Sequence, residues 1–140
     1  MSLTPERHTT SILLIDGSAA DRAFYTAGLK SMSYDYEIIE ATDRQSGCDI
    51  YQSRQIDCVV LELALPDHSG FQILVDLVPR LSRPHIAVIV LTQITHRGVR
   101  EAAKQNGIYA CLHKQDTSGQ DLERAIQHAV SSARCNTKPH

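Results

Sequence analysis

Strand and helix signals alternate five times along the chain. Five apolar, mostly β-branched runs, Ser11 to Asp16, Tyr36 to Ala41, Asp57 to Leu63, Ile86 to Thr92 and Tyr109 to Lys114, are each followed by a segment with helical periodicity. Parallel strands need crossover connections, and helices supply them, so the alternation predicts a mostly parallel sheet covered by helices on both faces. Val59-Val60-Leu61 and Val88-Ile89-Val90-Leu91 are apolar on consecutive residues. A strand solvated on one side would alternate, so these two runs belong in the middle of the sheet. In such folds a site forms outside the carboxyl ends of the strands, at the switch in strand order. The residues that end the strands here are Asp16, Glu62, Thr92 and Lys114.

The helical segments carry start and stop signals. Ser18-Ala19-Ala20-Asp21 has the form of a capping box, and Ala20, Ala23, Phe24 and Ala27 follow at helical spacing. Thr42-Asp43-Arg44-Gln45 opens the second helix in the same way. The third carries a stripe of Phe71, Leu74, Leu77, Val78 and Leu81 and ends where Arg83-Pro84 forbids further helix. The fourth runs from about His96 to Gln105 and stops at Asn106-Gly107. The fifth starts near Thr117 or Ser118 and puts Leu122, Ile126, Ala129 and Val130 on one face. The expected layout is a polar tail over residues 1–10, one domain over 11–130, and a helix end leading into a linker over 131–140. With 140 residues, 42% of them hydrophobic, one core can form without disulfides or a structural metal.

Charge and composition exclude several classes. A net charge of -2 provides no broad basic surface for nucleic acid. The longest apolar runs, such as Ile86 to Leu91, are strand-sized, well short of the ~20 residues a membrane helix needs. No signal-peptide pattern is visible. Cys48, Cys58, Cys111 and Cys135 include no C-x-x-C pair, and two lie in apolar runs where a thiol behaves as a small hydrophobe. A reduced, cytoplasmic setting is expected, with neither nucleic acid nor membrane as a partner. The scattered histidines show no metal-ligand pairing and read as surface or strand-end residues.

Two carboxylates, a hydroxyl and an ammonium converging at the strand ends suit a phosphoryl group with its metal. Any one of them alone reads as a residue that merely ends a strand. Together, Ile12-Leu-Leu-Ile-Asp16, Asp57-Cys-Val-Val-Leu-Glu62-Leu-Ala-Leu-Pro66, Gly70, Val88-Ile-Val-Leu-Thr92 and Lys114 resemble the receiver domain of response regulators in two-component signalling, over about Ser11 to Val130. The resemblance implies a flavodoxin-like, doubly wound (βα)5 α/β fold with a five-stranded parallel sheet of order 2-1-3-4-5.

It also implies a set of site residues, which this chain keeps only in part. Asp16 matches the first acid of the family's pair, but Gly17 stands where the second, a direct Mg²⁺ ligand, is expected. Glu62 occupies the place of the phosphate-accepting aspartate, with Ala64, Pro66 and Gly70 in the loop after it. Thr92 and Lys114 are retained. Cys111 replaces the usual aromatic of the family's rotamer switch, and Gln115 replaces the usual proline.

A carboxylate attacking phosphorus needs in-line placement and a cation to neutralise the oxygens that repel it. The extra methylene of Glu62 carries its carboxylate on the order of 1.5 Å further into the pocket, and misplacement by ~1 Å can cost ~100-fold in rate. The chain is therefore expected to be a pseudo-receiver: no enzyme, slow or absent phosphorylation, no cofactor, and Mg²⁺ binding weakened, with Asp16, Glu62 and the Ala64 backbone as its remaining ligands. Two roles stay open for Glu62, a standing partial substitute for the phosphoryl charge or an inert ion pair with Lys114 in a docking domain. The alternatives are a working Mg²⁺-dependent phosphoacceptor and a flavin binder. The turn Asp16-Gly-Ser-Ala-Ala-Asp21 lacks the hydroxyl-rich run that would cradle a flavin phosphate. By resemblance, the partners are a histidine kinase, an output domain or a second copy, meeting the fourth helix, fifth strand and fifth helix. The wording around Leu65 to Phe71 and Leu122 to Ala129 is similar to receivers attached to sensor kinases or cyclic-dinucleotide enzymes.

Overall fold

The computed structural model describes residues 9–32, 35–67, 72, 78–81, 86–94 and 97–135. Strand β1 (Thr10–Ile15) leads to α1 (Ala19–Lys30), β2 (Tyr36–Ala41) to α2 (Arg44–Ser53), and β3 (Cys58–Leu61) to a short α3 (Val78–Leu81). Then come β4 (Ala87–Thr92), α4 (Arg97–Gln105), β5 (Ala110–His113), a 3-10 turn over Lys114–Asp116, and α5 (Gly119–Cys135). All strand pairs are parallel and the order is β2-β1-β3-β4-β5. This is the expected flavodoxin-like arrangement, with β3 and β4 buried at every position.

Two apolar layers sandwich the sheet. Leu13, Ile15, Val59, Leu61, Val88 and Val90 face α2 and α4, where Cys48, Tyr51, Val99 and Ala103 meet them. Ile12, Leu14, Cys58, Val60, Ile89 and Leu91 face α1 and α5, against Tyr25, Leu29, Leu122, Ile126 and Ala129. Alternate residues of each central strand thus serve opposite cores, which is why those runs are continuously apolar.

Strands end slightly earlier than the hydropathy suggests: β1 stops at Ile15, β3 at Leu61 and β5 at His113. The residue after each strand leaves the regular ladder, although Asp16 and Glu62 still donate their N–H groups to the carbonyls of Ala41 and Ile15 at 2.9 and 2.8 Å. Ile15 is in register with Leu61 and Leu61 with Val90, so Asp16 and Glu62 emerge side by side.

The inward face of α1 differs from expectation. Ala20, Ala23, Phe24 and Ala27 all point outward, Phe24 with 59% of its surface exposed, while Tyr25 and Leu29 are buried. Tyr25 and Leu29 together remove more apolar area from water than the alanines could, and their i, i+4 spacing sets the helix rotation. The start of α1 is also not a full capping box. The Ser18 hydroxyl accepts from the Asp21 N–H at 3.2 Å, but the Ser18 N–H donates to Asp16 Oδ1 at 2.8 Å and the Asp21 carboxylate turns elsewhere. At α2 both halves of the box form, between Asp43 and Ser46. The Ser46 backbone N–H is the main reason the Asp43 carboxyl titrates below the usual carboxylate range. Helix α5 begins after Ser118, whose hydroxyl and N–H pair reciprocally with Asp121, and it continues to Cys135, within the segment read as a helix end. Of the third-helix stripe, Phe71, Leu74 and Leu77 lie outside the described residues, as do Gly70 and His96.

Candidate functional site

Four strand-end residues meet above the carboxyl edge of β1, β3, β4 and β5. Lys114 Nζ lies 2.8 Å from Asp16 Oδ2, 2.8 Å from Glu62 Oε1 and 2.7 Å from Asp21 Oδ2. Asp16 and Glu62 are each 2% exposed, so the ammonium and two of its three partners are held out of bulk water. Burial alone would lower the Lys114 pKa. The hydrogen bonds that the ammonium donates to Asp16, Asp21 and Glu62 outweigh it, so the amine titrates well above its ordinary value and stays charged.

Glu62 spends both oxygens on donors. Oε2 accepts from the Thr92 hydroxyl and from the Ala64 N–H at 3.0 Å; Oε1 accepts from the Gln93 N–H at 3.1 Å and from Lys114. The Thr92 oxygen in turn accepts from the Ile94 N–H at 3.1 Å. Thr92 therefore faces inward, its hydroxyl proton directed at the carboxylate. Two backbone amides, a hydroxyl and an ammonium around one anionic group form the kind of donor cradle that stabilises an oxyanion.

The loop that presents Ala64 is tied down. Asp67 accepts from the N–H groups of Arg44 and Gln45, at 3.2 and 3.4 Å, at the positive end of α2. Pro66 lies over Gly17: a Cβ built at Gly17 would stand 3.1 Å from Pro66 Cδ. On the other side, Tyr25 reaches from α1 to the Thr117 and Lys114 carbonyls at 3.2 and 3.4 Å. Burial pushes its phenol pKa up, with the Lys114 charge opposing. Arg22 donates to the Asp16 carbonyl at 2.7 Å and pairs with Glu40 at 3.0 Å.

The structure thus brings Asp16, Glu62, Ala64, Thr92 and Lys114 together. Cys111 packs against the core on the α2 and α4 side, its thiol pKa raised by burial and partly countered by Arg100. Asp21 and Asp67 are the residues that sequence reasoning missed. Asp21 reads in the sequence as the last residue of a capping box, and no local signal points to its long-range partner Lys114.

The profile of the response regulator receiver domain matches residues 12–127. The chain belongs to that family. Solved receiver structures share its fold. The signal receiver domain of a putative Luxo repressor protein from Vibrio parahaemolyticus superposes with a TM-score of 0.80 at 20% identity, covering 95% of this chain and all (100%) of that one. A response regulator receiver domain protein from Clostridium thermocellum gives 0.74 at 26% identity over 90% of this chain and 98% of the other. A response regulator protein from Burkholderia pseudomallei with a phosphorylated aspartic acid and a calcium ion gives 0.73 at 20% identity over 90% and 71%. No curated protein matches the chain. Among the described residues, no helix is long and apolar enough to cross a membrane.

Proposed function

We propose that this receiver domain signals through protein contact without being phosphorylated, with Glu62 acting as a built-in anion in place of an aspartyl phosphate. The observation that carries this reading is the full occupancy of the Glu62 carboxylate, whose two oxygens take up Thr92, Ala64 N–H, Gln93 N–H and Lys114. A phosphoryl group would need those same donors for its own oxygens, and none is spare. Glu62 also replaces the one side chain that the family uses as acceptor, and its carboxylate is not poised for attack while four donors hold it.

The residues do not suit Mg²⁺ either. An octahedral ion needs free carboxylate oxygens at close range, whereas Asp16 Oδ1 accepts from Ser18 and its Oδ2 from Lys114. The domain in this reading is a regulatory module and not an enzyme. Its contact surface is the α4, β5 and α5 side, where β5 is an edge strand, Tyr109 is 45% exposed, and Arg100, Glu101 and Lys104 of α4 are exposed to solvent. The occupant is a kinase, an output domain or a second copy.

Incubation with acetyl phosphate and Mg²⁺ tests the chemistry: the intact mass should stay unchanged, and stoichiometric addition at Glu62 would overturn the proposal. Glu62→Gln tests the signal. Removing the charge should weaken self-association or kinase binding, and an unchanged affinity would leave Glu62 a structural ion pair only.

A further inference from the structure

The acid absent at position 17 leaves the site short of a carboxylate, yet three carboxylates surround Lys114. The third comes from Asp21, one turn into α1. Its oxygen at 2.7 Å makes the shortest of the three contacts to the ammonium, although Asp21 is the most exposed of the acids, at 38% of its side chain. It reaches the ammonium because α1 is rotated to bury Tyr25 and Leu29, which brings position 21 onto the strand-end side of the helix.

Tyr25, one turn further on, binds the Lys114 carbonyl. The same helix therefore holds Lys114 at both ends, Asp21 at the ammonium and Tyr25 at the backbone. Ser18 N–H has been given to Asp16, which frees the Asp21 carboxylate from the capping role that its position suggests. A charge-assisted bond to an ammonium is stronger than the amide bond it forgoes.

We propose that Asp21 is a positioning residue that takes over from the acid absent at Gly17, and that with it the Lys114 ammonium serves as the resident cation of the pocket in place of a divalent metal. The charges are compatible with this. The buried carboxylates of Asp16 and Glu62 are further offset by the neutral donors Ser18 N–H, Thr92 hydroxyl, Ala64 N–H and Gln93 N–H. Asp21, half open to water, is screened by solvent. A metal entering between these acids would have to displace an ammonium bonded at three points. The inference deepens the reading of Glu62 as a built-in anion and rests on it, since the ammonium that Asp21 positions is the one that neutralises Glu62.

The test is nitrogen-15-edited NMR of the full 140-residue chain at neutral pH, which detects a lysine ammonium only when its protons exchange slowly. The native chain should show one protected ammonium, from Lys114, that stays in place through a titration with magnesium chloride into the millimolar range. Asp21→Asn, which keeps the backbone N–H bonded to Ser18, should lose that signal or exchange at least about tenfold faster, and Asp21→Glu should recover part of it. An unchanged signal in Asp21→Asn makes Asp21 a peripheral surface pair and overturns the proposal. So does a saturable loss of the native signal with magnesium, an arm that needs no variant and stands even if Asp21→Asn does not fold. The Glu62→Gln affinity experiment fails or succeeds separately: no effect there, with Lys114 protected here, would remove the signalling role and keep the positioning one.

Discussion

Replacing Glu62 by glutamine preserves the length of the side chain and deletes its charge. The amide can accept at one end only, so of the donors that now converge on the two carboxylate oxygens, those at one end would face an NH₂ group. Lys114 keeps Asp16 and Asp21, so the loss should fall below that of a fully orphaned buried ion, at about 2–3 kcal/mol of unfolding free energy by urea denaturation. Lys114→Met strands two buried carboxylates without their cation and should cost more, about 3–5 kcal/mol. Two groups at this site hold their protons more tightly in the folded chain than in the unfolded one, Lys114 and Tyr25. Their unfolded values lie at about 10.4 and 10. The stability they contribute is complete below those values and is lost as the pH rises through the higher folded values. Thermal melts should therefore show no loss from these groups between neutrality and about pH 10 and a decline above it, smaller in Tyr25→Phe. A decline centred near pH 8 would contradict the assignment.

At the scale of elements, α1 and α5 approach each other backbone to backbone. A Cβ on Gly28 would lie 3.2 Å from Gly119 Cα, where no side chain is available to swing aside. Gly28→Ala should thus destabilise by about 1–2 kcal/mol despite alanine's better helix propensity, because backbone must move against backbone. A Cβ on Gly47 in α2 would lie 2.6 Å from Cδ1 and 3.0 Å from Cγ1 of the fully buried Ile15, and Gly47→Ala should also destabilise by the same urea measurement. Neither contact was legible in the sequence, since a glycine inside a helical pattern reads as a weak point until the neighbouring helix is placed. The central place of β3 and β4 and the convergence of Asp16, Glu62, Thr92 and Lys114 were legible, because continuously apolar runs identify central strands and parallel register then places their last residues together, while the full strand order came with the family resemblance. The face of α1 was not. Its alanines and Phe24 form a plausible apolar stripe, and what decides against them is long-range: Tyr25 finds carbonyls 89 and 92 residues away and Asp21 a lysine 93 residues away. Local periodicity carries no information about such partners.

For the whole molecule, the two apolar layers and the charged edge are separable parts. The cores on either side of the sheet contain none of the strand-end residues Asp16, Glu62, Thr92 and Lys114, so the fold can persist while the site varies. Thr92 on β4 is in register with His113, the last residue of the neighbouring β5, so in the proposed reading these two strands connect the site to the α4 and β5 surface. With Glu62 already drawing the Thr92 hydroxyl inward, the α4 and β5 surface should have one conformation with and without phosphodonor. Amide spectra of α4 and β5 compared in the presence and absence of acetyl phosphate with Mg²⁺ should overlay, and a second set of resonances on adding the phosphodonor would show a switch that still operates.

The Pro66 ring against Gly17 makes retreat from this state a matter of epistasis. An acid reintroduced at position 17 meets Pro66 Cδ at 3.1 Å and finds the nearest cation already committed. An aspartate reintroduced at position 62 falls short of amides that now have their acceptor. Either substitution made alone therefore loses interactions that the present pocket makes, so putting the family's acids back calls for coordinated changes at positions 17, 62 and 66.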